Sequence, residues 1–421
     1  MSLKTAEGIK EVNQEGLQYK RRWIAVVALG LSLFLSALDA TIVALALPPI
    51  ANHFELSDSL VVAVTLAYAI PLTLFVLPSV GIVNRFRSLP VFLVAVLGFG
   101  IGSVICGFAP IFLILLAGRV IQGSFGALIG TQGFALAAAI VSPKERGKAM
   151  GIIGTIAPLG GIAGPGIGGL LLGNFGWSSI FFVNLPVIAV ASLLGVFSLR
   201  GIRLTNHGSG NNVYSQMVSL LRKSQFSLGL LAFFFAVSAS VALYYLLPFD
   251  LTGIQNISPA VSGAIFLCVP LGMMPMGIVG GHLTDRYHPR PFILMGSGVL
   301  LFGVLVLSLV TSSKTSGLDL AWRLLLIGAG IGLFSSPNQT VIMSLGGREM
   351  MGAASALSNL SARLGTVFSP LVMGIIWSLL ASFQAQIESG AIVIDALAFA
   401  TFVFAFFSVM KTKDVQKRSR P

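Results

Sequence analysis

The chain has 421 residues, 55% of them hydrophobic and 10% charged, with a formal net charge of +12. Soluble domains carry about 25% charged residues, so this composition, with its 48 glycines and 30 phenylalanines, excludes an ordinary soluble domain and suits helices packed in lipid. The positive balance does not point to nucleic acid, because the basic clusters lie between apolar runs, where orientation signals lie.

Residues 1–22 form a polar tail that ends in Lys20, Arg21 and Arg22. The apolar run that follows is too long for the core of a signal peptide and reads as a retained first helix. Bilayer-length stretches then predict spans over 23–48, 60–83, 91–110, 111–141, 147–172 and 180–199. A polar cytoplasmic linker, 200–225, follows, with Arg203, His207, Arg222 and Lys223. Six further spans fall at 226–249, 260–282, 291–311, 320–345, 351–381 and 391–410, and residues 411–421 form a basic tail. The expectation is an all-α integral membrane protein with 12 transmembrane helices in two six-helix bundles, 23–199 and 226–410. With the N-terminus inside, every one of the 26 basic residues except Arg119, Lys314, Arg323 and Arg363 falls on the cytoplasmic side, as the positive-inside bias requires. Both termini are expected in the cytoplasm and the chain in the cell membrane.

The two halves echo each other. "GIVNRFRSLP" (residues 81–90) returns as "GHLTDRYHPRP" (281–291), so that Asn84 and Arg85 correspond to Asp285 and Arg286 at an offset of 201 residues. Met150-Gly151 meets Met351-Gly352 at the same offset, and Arg119 in the fourth span meets Arg323 in the tenth. Parallel six-helix repeats of this kind build a common class of secondary transporter.

Ionisable groups inside spans carry the chemistry, since each costs roughly 2.5–3.5 kcal/mol at a helix centre on the insertion scale. Asp39 lies about 16 Å from the outer end of the first span and Arg119 about 13 Å from that of the fourth, at 1.5 Å per residue. The pair reads as a proton-exchanging carboxylate tuned by a cation, as a static ion pair between helices, or as two groups that do not meet. Arg363, about 18 Å into the eleventh span, is a candidate for the substrate cavity. Arg323, near the outer end of the tenth, is a second candidate or snorkels to the interface. Tyr244 and Tyr245 are candidates to stack on a lipophilic substrate, or are ordinary packing residues. Asp395 and Glu388 lie near the outer surface, and no histidine sits clearly at mid-membrane. Cys106 and Cys268 read as small buried hydrophobes. Gly160, Gly164 and Gly168 recur every fourth residue, a smooth stripe for close helix contact, with Pro165 able to bend the helix and Gly169 beside it. Neither a His/Glu zinc set nor a Gly-x-x-x-x-Gly-Lys nucleotide loop occurs. No cofactor and no enzymatic activity are expected.

These motifs resemble the major facilitator superfamily, and within it the drug:proton antiporter-2 branch. "LDATIVALALPPI" (38–50) is similar to that branch's first-helix signature, and "RVIQGSFGA" (119–127), which contains Gln122, to the Arg-x-x-Gln-Gly motif. "GGIAGPGIGG" (160–169) looks like the antiporter motif, and "WSSIFFVNLP" (177–186) and "ARLGTVFSP" (362–370) resemble further branch segments. The chain departs from the branch in lacking its two central helices and in carrying Asn84 where the cytoplasmic motif has an acid. The resemblance implies an exporter of lipophilic or amphipathic small molecules driven by the proton gradient, acting as a monomer. Asp39 and Arg119 would couple protons, and Gln122, Arg323, Arg363, Tyr244 and Tyr245 would line the cavity. Asn84, Arg85, Asp285 and Arg286 would serve as gate latches, with the one acid, Asp285, carrying more of the load. A carrier of an anionic or lipid-like substrate and a non-transporting receptor are the competing readings.

Overall fold

The computed structural model describes residues 3–141, 145–200, 210–309, 315–380 and 382–418. Lys314 and linker residues 201–209 lie outside the described residues, as do the side chains of Asn84, Asp285 and most of both tails. Among the described residues every regular element is helical. Ten helices are long and apolar enough to cross a bilayer, and two shorter apolar helices, Asp58–Leu74 and Leu159–Phe175, fall in the second and fifth predicted spans.

The first span is broken. Helix α1 (Leu3–Ile42) gives way to a 3-10 turn (Val43–Ala46) before α2 (Leu47–His53). Pro48 and Pro49 have no N–H to offer the carbonyls of Ala44 and Leu45, and the chain tightens there. The second span is divided into α3 (Asp58–Val61), α4 (Ala63–Leu74) and α5 (Val76–Arg85), with Pro71 inside α4. Then come α6 (Ser88–Gly107), α7 (Phe112–Ile140), α8 (Arg146–Phe175), α9 (Ser179–Phe182) and α10 (Asn184–Ser198). The stretch read as linker contains α11 (Gly210–Leu221), whose Leu220 is fully buried beside Phe226 and Ile342. The second half continues with α12 (Ser224–Phe249), a π turn (Asp250–Ile254), α13 (Pro259–Phe266), α14 (Cys268–Arg286), α15 (Arg290–Ser308), α16 (Gly317–Ser378) and α17 (Phe383–Arg418).

The 62 residues of α16 hold two candidate spans, Gly317–Gly346 and Ala353–Ser378. Its hydrogen bonds show that it doubles back. Asn338 Nδ2 donates to the carbonyl of Gly229 (3.2 Å) and Ser361 Oγ to that of Leu230 (2.8 Å). A straight helix would hold residues 338 and 361 about 34 Å apart, yet both reach neighbouring residues of α12. Ser358 Oγ also donates to Gln339 Oε1 (2.9 Å). The expected break between the tenth and eleventh spans is therefore a fold-back made within helical backbone.

The internal repeat is visible in the backbone itself. The two non-glycine residues with positive φ among those described are Glu55 (φ 53°) and Asn256 (φ 54°), 201 residues apart. A left-handed residue costs roughly 1–2 kcal/mol, and each is followed by an extended serine, Ser57 or Ser258, that opens the next helix. At the other end of the same span, α5 and α14 both stop on an extended aromatic, Phe86 (ψ 165°) and Tyr287 (ψ 168°).

The chain falls into two compact units. One comprises Met1–Val43, Ile70–Gly164 and Phe175–Asn206; the other comprises Ala44–Ala69, Pro165–Asn174 and His207–Pro421. In the first, α6 packs on α7, and α1 packs on α7 and α10. In the second, α16 packs against α12, α14 and α15, and α17 against α12 and α15. The first helix crosses between units within its 3-10 turn, the second one residue before Ile70-Pro71, and the fifth at Gly164-Pro165.

Outward faces are apolar. On α6 the exposed large apolar residues are Val94, Leu97, Ile101 and Val104, at helical spacing and continued by Phe108 just past its end, while Ala95, Phe99, Ser103 and Cys106 are buried. Such a surface suits hydrocarbon as solvent, and the chain is a multi-pass membrane protein. Within the first unit, α1 and α8 meet through the glycine stripe. A Cβ at Gly160 would overlap the Phe34 carbonyl oxygen, and one at Gly164 the Thr41 hydroxyl.

Candidate functional site

Asp39 and Arg119 are both buried and form an ion pair at 2.6 Å, from Arg119 Nη1 to Asp39 Oδ2. Their similar predicted depths are thus realised as direct contact. Arg119 and Gln122 stand three residues apart on α7 and share a face. Arg119 Nη1 also donates to Gln122 Oε1 (2.8 Å), and Gln122 Nε2 donates to Asp39 Oδ1 (3.1 Å). Asn184 Nδ2, at the start of α10, donates to the same oxygen at 3.1 Å. Asp39 therefore accepts from three side chains on two helices, all buried.

A second tier holds the donors. Ser103 Oγ on α6 accepts from Gln122 Nε2 (2.8 Å) and from Asn184 Nδ2 (3.1 Å). The Cys106 thiol donates to Gln122 Oε1 at 3.5 Å. The Arg119 guanidinium carbon lies 6.0 Å from the centre of the Phe181 ring, within cation–π range. This closeness depends on glycine. A Cβ at Gly102 would come within 2.7 Å of Gln122 Cγ and 2.9 Å of the Gly118 carbonyl. Larger residues there would part α6 from α7 and draw Ser103 away from Gln122. One buried acceptor, Asn184 Oδ1, has no hydrogen-bond partner.

The arrangement is a carboxylate with one cation and two neutral amide donors, isolated from water. It joins α1 to α7 and α10 through a single acidic side chain.

The other predicted residues are dispersed. Gln122 belongs to the Asp39 cluster. Arg323 pairs with Asp319 (2.9 Å), donates to the Val306 carbonyl, and lies 4.9 Å from the Trp322 ring, close to the start of α16. Tyr245 donates its hydroxyl to the Asp58 carbonyl (2.9 Å) and packs between Phe249 and Trp377. Tyr244 is 5.6 Å from the Phe266 ring. Arg363 is half-buried in the second arm of α16. Arg85 and Arg286 are the exposed last residues of α5 and α14, where a cation complements the helix dipole. Within the second motif copy, burial and the charge of Arg290 hold His288 below its ordinary range. Of the glycine motif, Gly160 and Gly164 lie against α1, and Gly169 faces Gly263.

Ser103 and Cys106 gave no signal in the sequence, since a serine or cysteine among apolar residues reads as small packing. Asn184 stood in a quoted motif, and a lone amide inside an apolar run was the available clue.

Comparison with known proteins gives a consistent setting. The family model described as Major Facilitator Superfamily matches residues 29–370. The riboflavin transporter RibZ of Clostridioides difficile (strain 630) is 25% identical over 83% of this chain and 88% of its own. The multidrug resistance protein Stp of Mycobacterium tuberculosis is 27% identical over 83% and 75%. The tetracenomycin C resistance and export protein of Streptomyces glaucescens is 27% identical over 88% and 78%. A crystal structure of a bacterial homologue of the human lysosomal transporter Spinster, inward-facing and unoccupied, superposes with a TM-score of 0.76 at 18% identity. That match covers 94% of this chain and 98% of the other.

Proposed function

The chain belongs to the major facilitator superfamily, and on that premise we propose that it exports lipophilic or amphipathic small molecules in exchange for protons. It is a membrane transporter rather than an enzyme. The observation that carries the reading is Asp39, an exchangeable carboxylate buried within the first span and held by Arg119, Gln122 and Asn184. Relatives named for multidrug resistance and for export support it. In this reading Asp39 takes up a proton and releases it in the course of an alternating-access cycle. The proton gradient is the only energy source needed, and both termini face the cytoplasm.

The test is proton release. Purified protein in weakly buffered solution, challenged with a panel of cationic, neutral and anionic amphiphiles, should release protons on binding at least one class. Binding without any pH change across the panel would remove proton exchange from the mechanism.

The two motif copies give a second expectation. The second copy bears an acid, Asp285, where the first has neutral Asn84. Asp285→Asn is therefore expected to slow vesicle transport more than Asn84→Ala, because only the former deletes a charge. Equal rates for the two variants would reduce both loops to orientation signals.

A further inference from the structure

Among the described ionisable groups within the spans, two pairs match charge with charge. Asp39 meets Arg119 and Asp319 meets Arg323, while Asp395 accepts from the neutral Ser308 Oγ at 2.9 and 2.8 Å. Arg363 differs. Among the described residues no carboxylate lies within ion-pairing distance of it. It stands about 15 Å from one end of the span Ala353–Ser378 and about 22 Å from the other at helical rise, too deep to reach either surface easily.

Its surroundings can be placed by packing. A Cβ at Gly374 would touch Val62 and the Ser59 carbonyl, so α3 abuts α16 at that level. Counting back to Arg363 gives about 16 Å along α16, and counting forward from Val61 to Tyr68 gives about 10 Å along the second span. A long side chain bridges the difference, and the Tyr68 phenol is the titratable neighbour of the guanidinium. Beside Arg363, Leu360, Leu364, Phe368 and Leu371 form one exposed apolar face (36–47% exposed). Helical geometry puts Arg363 on the flank of that face, about 60° from Leu360.

We propose that Arg363, with Tyr68 beside it, receives the anionic end of an amphipathic substrate, a carboxylate, sulfonate or phosphate, while the face of Leu360, Leu364 and Phe368 takes its apolar body. A guanidinium offers several donors in a fixed plane suited to such oxyanions. A substrate anion supplies the countercharge that no described carboxylate provides. This deepens the exporter reading and rests on it for the word substrate.

The test uses the full chain in nanodiscs and three probes with one apolar body: pyrenebutyrate, pyrenebutanol and pyrenebutyltrimethylammonium. Fluorescence titration should show the carboxylate bound about tenfold more tightly than the alcohol, a difference in ΔG of about 1.4 kcal/mol. Arg363→Gln should erase that preference while leaving pyrenebutanol binding unchanged, and Arg363→Lys should keep part of it. Tyr68→Phe should weaken only the carboxylate. Wild-type protein that binds all three alike, or prefers the ammonium, overturns the proposal whether or not Arg363→Gln folds, and so does a well-folded Arg363→Gln that keeps the preference. The two readings fail separately. Head-group preference without proton release would remove proton exchange alone, and proton release without preference would remove the anion site alone.

Discussion

Asp39→Asn is expected to reduce gradient-driven transport in inverted vesicles to the level of empty vesicles. The substitution preserves size and two-sided hydrogen bonding but offers no exchangeable proton. It also strands Arg119 in a buried site, with the Gln122 carbonyl as a remaining acceptor at 2.8 Å. Removing one partner of a buried ion pair typically costs about 3–5 kcal/mol, so the single variant should fold in lower yield. The double variant Asp39→Asn/Arg119→Gln removes the stranded charge. It should recover folded yield and substrate binding, yet still fail to accumulate substrate against a gradient. A pair that serves only to hold α1 to α7 predicts the reverse: once folding is restored, gradient coupling returns with it. Wild-type proton-driven uptake by the folded double variant would move the carrier role to another acid.

The second large effect concerns a single methyl group. Gly160→Ala should lower both the apparent melting temperature in detergent and the transport rate, whereas Gly161→Ala should leave the transport rate unchanged and hold or slightly raise the melting temperature. At Gly160 the new Cβ meets backbone, the carbonyl of Phe34 and, at 3.0 Å, the amide nitrogen of Leu38. Backbone of a packed helix cannot turn aside as a side chain does, and overpacking of this sort costs typically about 1–3 kcal/mol. At Gly161 the nearest atom is Thr41 Cγ2 at 4.0 Å, ordinary contact, and the alanine gains roughly 1 kcal/mol of helix propensity. Asp39 follows Leu38 directly, so a displaced α1 also shifts the carboxylate relative to Arg119. Identical melting curves for the two variants would show that α1 and α8 do not approach as described.

The charged centre of the site was legible because charge inside an apolar run has few explanations. Asp39 and Arg119 could be assigned a similar depth by counting residues, which left their contact open; the structure supplies it at 2.6 Å. Gln122 came with Arg119 by helical spacing, although it holds the carboxylate rather than standing apart in a cavity. Ser103 and Asn184 were hidden for a physical reason: their role depends on which helices become neighbours, and spacing within one helix does not encode that. The same limit applied to α16. Its two apolar arms were evident, but nothing in the residues between them announced that the reversal would be made in helical backbone. The break in the first span was readable in principle from Pro48-Pro49, whose missing N–H groups leave carbonyls one turn earlier unclaimed. The 201-residue offset, seen first as a repeated charged motif, proved to extend to backbone torsions at Glu55 and Asn256.

The places where helices pass from one compact unit to the other have a mechanical meaning. A continuous α-helix resists bending because each peptide is tied to the one a turn away. At Val43–Ala46 that tie is of the more tightly wound but weaker 3-10 kind, and at Pro71 and Pro165 one tie is missing altogether. These three rods are thus scored where they cross, and resistance to bending is lowest at the scores. The first score lies four residues beyond Asp39, little more than one turn. A change in how tightly Arg119, Gln122 and Asn184 grip that carboxylate would act as torque on a shaft already notched beside the grip, so little of the work would be lost to flexing between them.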